Sequence, residues 1–152
     1  LVDRPSKKDL RAGRAAVQNI VPSSTGAAIA TAQAHTDLKD KFDGISIRVP
    51  VPVGSIVDIT FIAKRATTAE EVNAALQKAA DSPEWSDIFA VTNDPLVSSD
   101  IIGATYASIA DLSMTRVVGG NLVKVLGWYD NETSYTSTLV AHVAAALKQV
   151  NS

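Results

Sequence analysis

Two segments in the first half of the chain alternate hydrophobic and polar residues, which is the pattern of a half-buried strand. In ISIRV, at positions 45–49, the alternation places Arg48 on the face opposite the three aliphatic side chains. VDITF, at positions 57–61, repeats the pattern. The intervening PVPVG includes Gly54, which supplies backbone freedom for a turn. Because the two segments lie so close in sequence, we expect them to pair as antiparallel strands.

Residues 67–81, TTAEEVNAALQKAAD, carry the clearest helical pattern in the chain. Their apolar residues recur at helical spacing and form one stripe. Thr68 with Glu71 fits a capping box, and Thr67 with Glu70 fits equally well. We therefore predict a helix with a capped N-terminus over this segment.

The remaining patterns complete an α+β chain. They predict a helix over 25–35, a strand over 88–92, a hairpin turning at 119–120 and a last helix over 136–150. Adjacent, hairpin-linked strands favour a mixed, largely antiparallel sheet with helices packed on one face. Nothing in the pattern marks an internal domain boundary, so we expect residues 1–152 to form one domain.

Composition excludes several function classes. The 152 residues carry a net charge of −2, so the chain offers no overall attraction to nucleic acid, and no apolar run is long enough to span a membrane. The sequence has no cysteine and two histidines, which leaves no thiolate nucleophile and no metal-binding motif. The chain begins with Leu1 rather than Met, which predicts a fragment or a processed chain.

SSTGA, at positions 23–27, combines hydroxyl residues with a glycine at a predicted helix start. Thr25 can cap the helix, and Gly26 would let an anion approach the free backbone amides. Arg48 could add a charged clamp on a phosphate. The residue types fit a plain helix cap and a phosphate site, and taken alone they favour the cap, which is the usual role of such a helix start.

WYDNE, at positions 128–132, is the second polar cluster. Asn131 carries donors and an acceptor suited to a carboxamide, and Tyr135 could pack beside a flat ligand. The alternative is a strand-to-helix junction in which Asp130 or Asn131 caps the last helix. Taken alone, these residues favour the strand-to-helix junction.

Taken in order, five segments resemble the C-terminal catalytic domain of phosphorylating glyceraldehyde-3-phosphate dehydrogenase. They are LVDRPSKKDLRAGRAAVQNIVPSSTGAA, DGISIRVPVPVGSIVDIT, TAEEVNAAL, DPLVSSDIIG and VVGGNLVKVLGWYDNE. The resemblance implies oxidation of glyceraldehyde 3-phosphate with NAD and inorganic phosphate, through a cysteine thioester with a histidine as base. It also implies a cytoplasmic homotetramer in which a Rossmann domain precedes the catalytic domain.

The resemblance assigns roles to residues that match the family's motifs. Thr25 and Gly26 match the pair that binds the attacking phosphate, and Arg48 matches an arginine that binds the substrate phosphate. Asn131 matches the asparagine that holds the nicotinamide carboxamide, and Tyr135 a tyrosine near the nicotinamide pocket. Residues 1–14 match half of a loop that lies along a neighbouring subunit's cofactor.

The chain departs from the family in what it lacks. The family's cysteine and histidine lie upstream of the matching segments, so we expect a C-terminal domain truncated at its N-terminal end, with no Rossmann domain and no catalytic residue. Such a chain is expected to be inactive alone, and the choice between NAD and NADP is set largely in the absent half. The alternative is a non-catalytic fragment that serves as an oligomer interface or interaction module.

Overall fold

The computed structural model describes Asp3 and residues 9–150, which form two compact units, Leu1–Pro52 and Val53–Ser152. Much of the basic N-terminal segment, including Arg4, lies outside the described residues. Within the described part, Arg14 pairs with Asp3 at 3.6 Å.

The first unit is built around a two-stranded antiparallel sheet. Its elements are a 3₁₀ turn (Arg11–Gly13), β1 (Val21–Ser24), α1 (Ala27–Ala34), a second 3₁₀ turn (Thr36–Leu38) and β2 (Ile45–Arg48). Val21 lies opposite Arg48, and Ser24 lies opposite Ile45. Val21 and Ala28 are buried, whereas the aliphatic side chains of β2 are exposed. Arg48 therefore lies on the face opposite Ile45 and Ile47, as the alternation predicts.

The second unit is a four-stranded mixed sheet with two described helices. Its elements are β3 (Ser55–Ile62), α2 (Ala69–Ala80), β4 (Phe89–Thr92), β5 (Ser108–Val118), β6 (Leu122–Tyr129) and α3 (Thr133–Val150). The strand order is β3-β6-β5-β4, in which only the β4–β5 pair is parallel among the described strands. α2 packs against β4 and β5. This arrangement confirms the α+β class with a largely antiparallel sheet.

The predicted pairing between the segments at 45–49 and 57–61 is wrong. β2 pairs with β1, while β3 pairs with β6 along its whole length of eight residues. Pro50 and Pro52 occupy the connection, and they lack the amide donors that a tight hairpin would use. The long partner strand β6 also offers β3 more ladder hydrogen bonds than the four-residue β2 could.

Local signals placed α2 and the last hairpin correctly. Thr68 is the N-cap of α2, and its hydroxyl accepts from the Glu71 amide at 3.2 Å. The Glu71 carboxylate accepts from Thr67 and Arg65, and these contacts, that of Thr67 foremost, lower its pKa. Gly119 and its neighbour adopt the positive φ angles that the turn between β5 and β6 requires.

The buried hydrophobic core of the second unit is small. It includes Ile101, Ala110, Leu112 and Val123. Apolar side chains on other elements remain exposed: on β3 these include Ile56, Ile59, Phe61 and Ile62, and on α3 they include Leu139, Val143 and Leu147. The apolar side chains of the last helix, including Leu139 and Val143, are therefore largely uncovered in this chain.

Candidate functional site

The N-terminus of α1 follows directly on β1, so the chain turns from strand to helix within the residues Thr25 and Gly26. Gly26 is the N-cap, and the helix begins at Ala27, two residues later than the pattern predicts. The Thr25 hydroxyl accepts from the Ala27 amide at 3.1 Å. Thr25 therefore caps the first turn, and the next amides, of Ala28 and Ile29, have no hydrogen-bond partner in the described chain.

Gly26 is not demanded by the conformation of the chain. Its φ of −80° is open to any residue, and a Cβ built on it would meet nothing within 4 Å. The missing side chain instead leaves free space at the start of the helix, next to its first turn. A small anion could use that space, because the helix N-terminus carries partial positive charge.

Arg48 lies at the other end of the same two-stranded sheet. The register places it opposite Val21, so roughly 13 Å of ladder separates it from the level of Thr25. Its side chain is exposed and forms no hydrogen bond or ion pair with the residues that the structure describes. The fold therefore brings Thr25 and Gly26 together and places Arg48 on the same sheet, out of direct contact with both.

A shallow depression of about 890 Å³ lies between α1 and the segment that follows it. Its walls are α1 and the segment 36–43, including Ile29, Lys39 and Phe42. Thr25, Gly26 and Arg48 do not line it. The residues predicted to bind phosphate therefore lie outside this depression.

Asn131 lies in the second unit, between the end of β6 and the start of α3. Its side chain is exposed, and its Oδ1 accepts from the Gly54 amide at 3.2 Å and from the Ser55 hydroxyl at 3.5 Å. Tyr135, in the first turn of α3, is 65% exposed. Both residues therefore lie at the strand-to-helix junction, with Asn131 tied to the start of β3.

Asp130 makes this junction rigid, because its buried carboxylate accepts from several backbone amides. Oδ1 accepts from Glu132 and Thr133, each at 2.9 Å, and Oδ2 accepts from Gly103 at 2.8 Å. The Gly103 contact, followed by the other two, lowers the pKa of Asp130 to about 2, against the opposing effect of desolvation. The capping role considered for Asp130 is confirmed, and it coexists with an exposed Asn131.

Asp111 is a buried carboxylate that the sequence analysis did not select. Its Oδ1 accepts from the Ser113 hydroxyl at 2.6 Å, and its Oδ2 accepts from Trp128 Nε1 at 3.2 Å. The contact fixes the indole two residues before Asp130. The available signal was a carboxylate between the apolar residues Ala110 and Leu112, where burial requires hydrogen-bond partners.

The described residues hold no group of three or more His, Cys, Asp or Glu side chains placed to bind a metal ion. None of the helices in this part of the chain combines the length and apolar character needed to cross a membrane. Among the candidate residues described above, Thr25, Gly26 and Asn131 can offer hydrogen bonds, and Arg48 offers a positive charge.

Comparison with known proteins gives consistent matches. The family model described as the C-terminal domain of glyceraldehyde 3-phosphate dehydrogenase matches residues 1–131. The chain is 48% identical to glyceraldehyde-3-phosphate dehydrogenase of Clostridium acetobutylicum over 147 residues, which is 94% of this chain and 42% of the relative.

Two further relatives extend the comparison. Glyceraldehyde-3-phosphate dehydrogenase 2 of Streptomyces avermitilis is 51% identical over 140 residues, covering 92% of this chain and 41% of the relative. The enzyme of Borreliella burgdorferi is 47% identical over 141 residues, covering 92% and 42%. The chain thus spans about two fifths of the length of these relatives.

Proposed function

Because the chain belongs to the glyceraldehyde-3-phosphate dehydrogenase family, we propose that it is the phosphate-binding part of an enzyme that oxidises glyceraldehyde 3-phosphate with NAD and inorganic phosphate. The observation that carries this proposal is the family match over residues 1–131, which includes four of the five candidate site residues. The names of the relatives describe the same dehydrogenase.

In this proposal the first unit binds phosphate groups. Thr25 and Gly26 hold the attacking inorganic phosphate at the start of α1, and Arg48 binds the phosphate of the substrate. Free amides at the helix start and the open space at Gly26 support the first role. The exposed, unpaired guanidinium of Arg48 supports the second, since a phosphate can accept two hydrogen bonds from it.

The second unit contacts the cofactor in the same proposal. Asn131 binds the carboxamide of nicotinamide, and Tyr135 lies beside the nicotinamide ring. The exposure of both side chains supports these roles. NAD is the expected cofactor from the family, and NADP would use the same carboxamide contact.

The catalytic nucleophile must come from another part of the protein, because this sequence contains no cysteine. We place residues 1–152 as the C-terminal catalytic domain, joined in the parent enzyme to a Rossmann domain that carries the cofactor. The parent enzyme would be a cytoplasmic homotetramer. The coverage of the relatives, about two fifths of their length, supports a missing N-terminal part.

A second candidate function is a non-catalytic oligomer-interface or interaction module. The exposed apolar residues of β3 and α3 favour it, since surfaces of this kind mark contacts with other protein. Ile62, at 74% exposure, is a clear example. Under this alternative the phosphate-binding residues would have no ligand.

Thermal unfolding in inorganic phosphate tests the phosphate site. We expect phosphate at ten times its Kd to stabilise the chain by about 1.4 kcal/mol and to raise the Tm by a few degrees. Arg48→Ala is expected to abolish most of the rise, because it removes the free guanidinium. Lys39→Ala is the matched control, since it removes one positive charge from the same unit and should leave the rise unchanged.

Sodium chloride at equal ionic strength separates specific binding from screening. A rise in Tm that Arg48→Ala and Lys39→Ala reduce equally would contradict a phosphate site at Arg48. No rise at all in millimolar phosphate would favour the interaction module.

A further inference from the structure

Three segments of the second unit meet around Asn131. The Gly54 amide, just before β3, donates to Asn131 Oδ1 at 3.2 Å. The Gly103 amide, in the connection between β4 and β5, donates to the neighbouring Asp130 at 2.8 Å. The junction between β6 and α3 is therefore tied to two separate loops through adjacent side chains.

The position of the Gly54 amide is fixed by close packing. Gly54 has a φ of +95°, and a Cβ built on it would lie 2.9 Å from the Ser98 carbonyl oxygen and 3.2 Å from Ile101 Cδ1. Ile101 is 1% exposed and belongs to the core. Only glycine brings this backbone so near the 98–101 segment without strain, and its amide is held there facing Asn131.

Asp130 fixes the backbone from which the Asn131 side chain projects. Its carboxylate, 1% exposed, holds the amides of Glu132 and Thr133 on one oxygen and that of Gly103 on the other. The Ser134 hydroxyl donates to its main-chain oxygen. The peptide before Asn131 and the first turn after it are therefore both held by the same residue.

These contacts determine which end of the Asn131 amide faces outward. A backbone amide requires an acceptor, so the carbonyl oxygen of Asn131 turns toward Gly54. Its Nδ2 has no hydrogen-bond partner within the described chain. Asn131 consequently presents the two N–H donors of Nδ2 to solvent. Its Oδ1 is already engaged by Gly54 and Ser55.

We propose that Asp130 and Gly54 are positioning residues that orient Asn131 as a donor toward a carbonyl oxygen of its ligand. The inference rests on the proposed function, in which that oxygen belongs to the carboxamide of nicotinamide. It adds the direction of the hydrogen bond and the residues that set it. In this arrangement Asn131 forms no hydrogen bond with the NH₂ group of the carboxamide.

The first experiment uses the chain itself, labelled with ¹⁵N. Asn131→Asp identifies the Asn131 side-chain amide signals by their loss. Asp130→Asn should shift those signals toward the values of a free asparagine and remove the exchange protection of the Gly103 amide. Asp94→Asn, an exposed aspartate outside the junction, is the matched control and should change neither. Unchanged Asn131 signals in folded Asp130→Asn would overturn the positioning role.

The second experiment uses a chimera in which this chain replaces the matching part of the Clostridium acetobutylicum relative. Activity is compared between NAD and its thionicotinamide analogue, whose sulfur is a poorer acceptor. We expect the chimera to prefer NAD in kcat/KM. Asn131→Asp, which can still accept from Gly54 but cannot donate, and Asp130→Asn should both lose most of that preference.

The preference is a ratio measured on one preparation, so loss of folded protein does not change it. A preference that persists in both variants would overturn the proposed direction of the hydrogen bond, while activity of the chimera would still support the proposed function. A folded but inactive chimera would count against the proposed function, and the NMR result would then decide the positioning role alone.

Discussion

Asp130 is the buried member of the WYDNE motif, and its side chain makes several structural hydrogen bonds. Its carboxylate accepts from three backbone amides, those of Gly103, Glu132 and Thr133. Each bond favours the charged form, which explains why its pKa falls to about 2 although desolvation opposes the shift. One side chain therefore caps α3 and fastens a distant loop.

The pKa of Asp130 predicts how stability depends on pH. Because the folded-state value lies below the ordinary 3.8, the carboxylate stabilises the folded chain fully above that pH. The contribution is lost as the pH falls through about 2. We expect the Tm of the wild-type chain, followed by circular dichroism, to decrease across this window.

Asp130→Asn isolates this contribution. The variant should melt at lower temperature at neutral pH, since a neutral amide cannot accept from all three donors, and its Tm should decrease less below pH 3.8. Asp94→Asn should follow the wild-type profile. If Asp130→Asn keeps the full wild-type slope in acid, another group is responsible.

The two connections that lead into β3 and β6 each contain a glycine with a positive φ angle. Gly54 and Gly120 both have positive φ, yet a Cβ at Gly54 meets the Ser98 carbonyl oxygen, while one at Gly120 meets nothing within 4 Å. The first glycine is required by both backbone angle and packing, and the second by angle alone. The loop before β3 is therefore less tolerant than the hairpin turn.

Alanine substitution separates these two costs. Gly120→Ala is expected to lower the free energy of unfolding by about 1 kcal/mol, the cost of a left-handed conformation with a side chain. Gly54→Ala should lower it further, because backbone atoms at Ser98 must also move. Urea denaturation of both variants measures the difference. If the two variants lose the same free energy of unfolding, the 98–101 segment moves away from the added Cβ at little cost, and the packing argument is wrong.

Among the residues that the structure describes, many large apolar side chains are exposed. β3 and α3 expose large hydrophobic side chains. Within the described chain the buried residues are fewer, and most of them lie on β5, on β6 or close to Ile101 in sequence. The sequence also contains no cysteine. In the proposed function, this chain supplies residues that bind ligands, and the nucleophile comes from another part of the protein.

The chain alone is expected to have no dehydrogenase activity. The thioester of the proposed mechanism requires a cysteine thiolate, and this sequence contains no cysteine. Formation of NADH from glyceraldehyde 3-phosphate, NAD and phosphate measures this directly. The Clostridium acetobutylicum relative, purified in the same way, is the positive control. Turnover that co-purifies with the chain and disappears in Arg48→Ala would contradict the prediction.

The elements whose signals lie within a few residues of one another in sequence were predictable. α2 follows from helical spacing and the Thr68 cap, and the last hairpin follows from Gly119-Gly120 between two β-rich arms. Both signals act within a few residues, so sequence alone contains them. The start of α1 was placed two residues early because several hydroxyl residues in a row can each act as a cap.

Strand partners were decided by tertiary structure. The proximity of β2 and β3 in sequence suggested a hairpin, but β3 pairs with β6 and β2 pairs with β1. Pairing depends on the total ladder and packing that a distant strand offers, and no local pattern reports it. Asp111 was missed for the same reason, since its partner Trp128 lies on another strand.

The sequence by itself determined the α+β class, the main helices, the family resemblance and the identity of Thr25, Gly26, Arg48, Asn131 and Tyr135 as candidates. These rest on local spacing and motif order. Tertiary structure decided that Arg48 stands apart from Thr25 and that Asn131 turns its oxygen to Gly54. Such facts depend on which distant segments meet, because a hydrogen bond is set by position in space and not by separation along the chain.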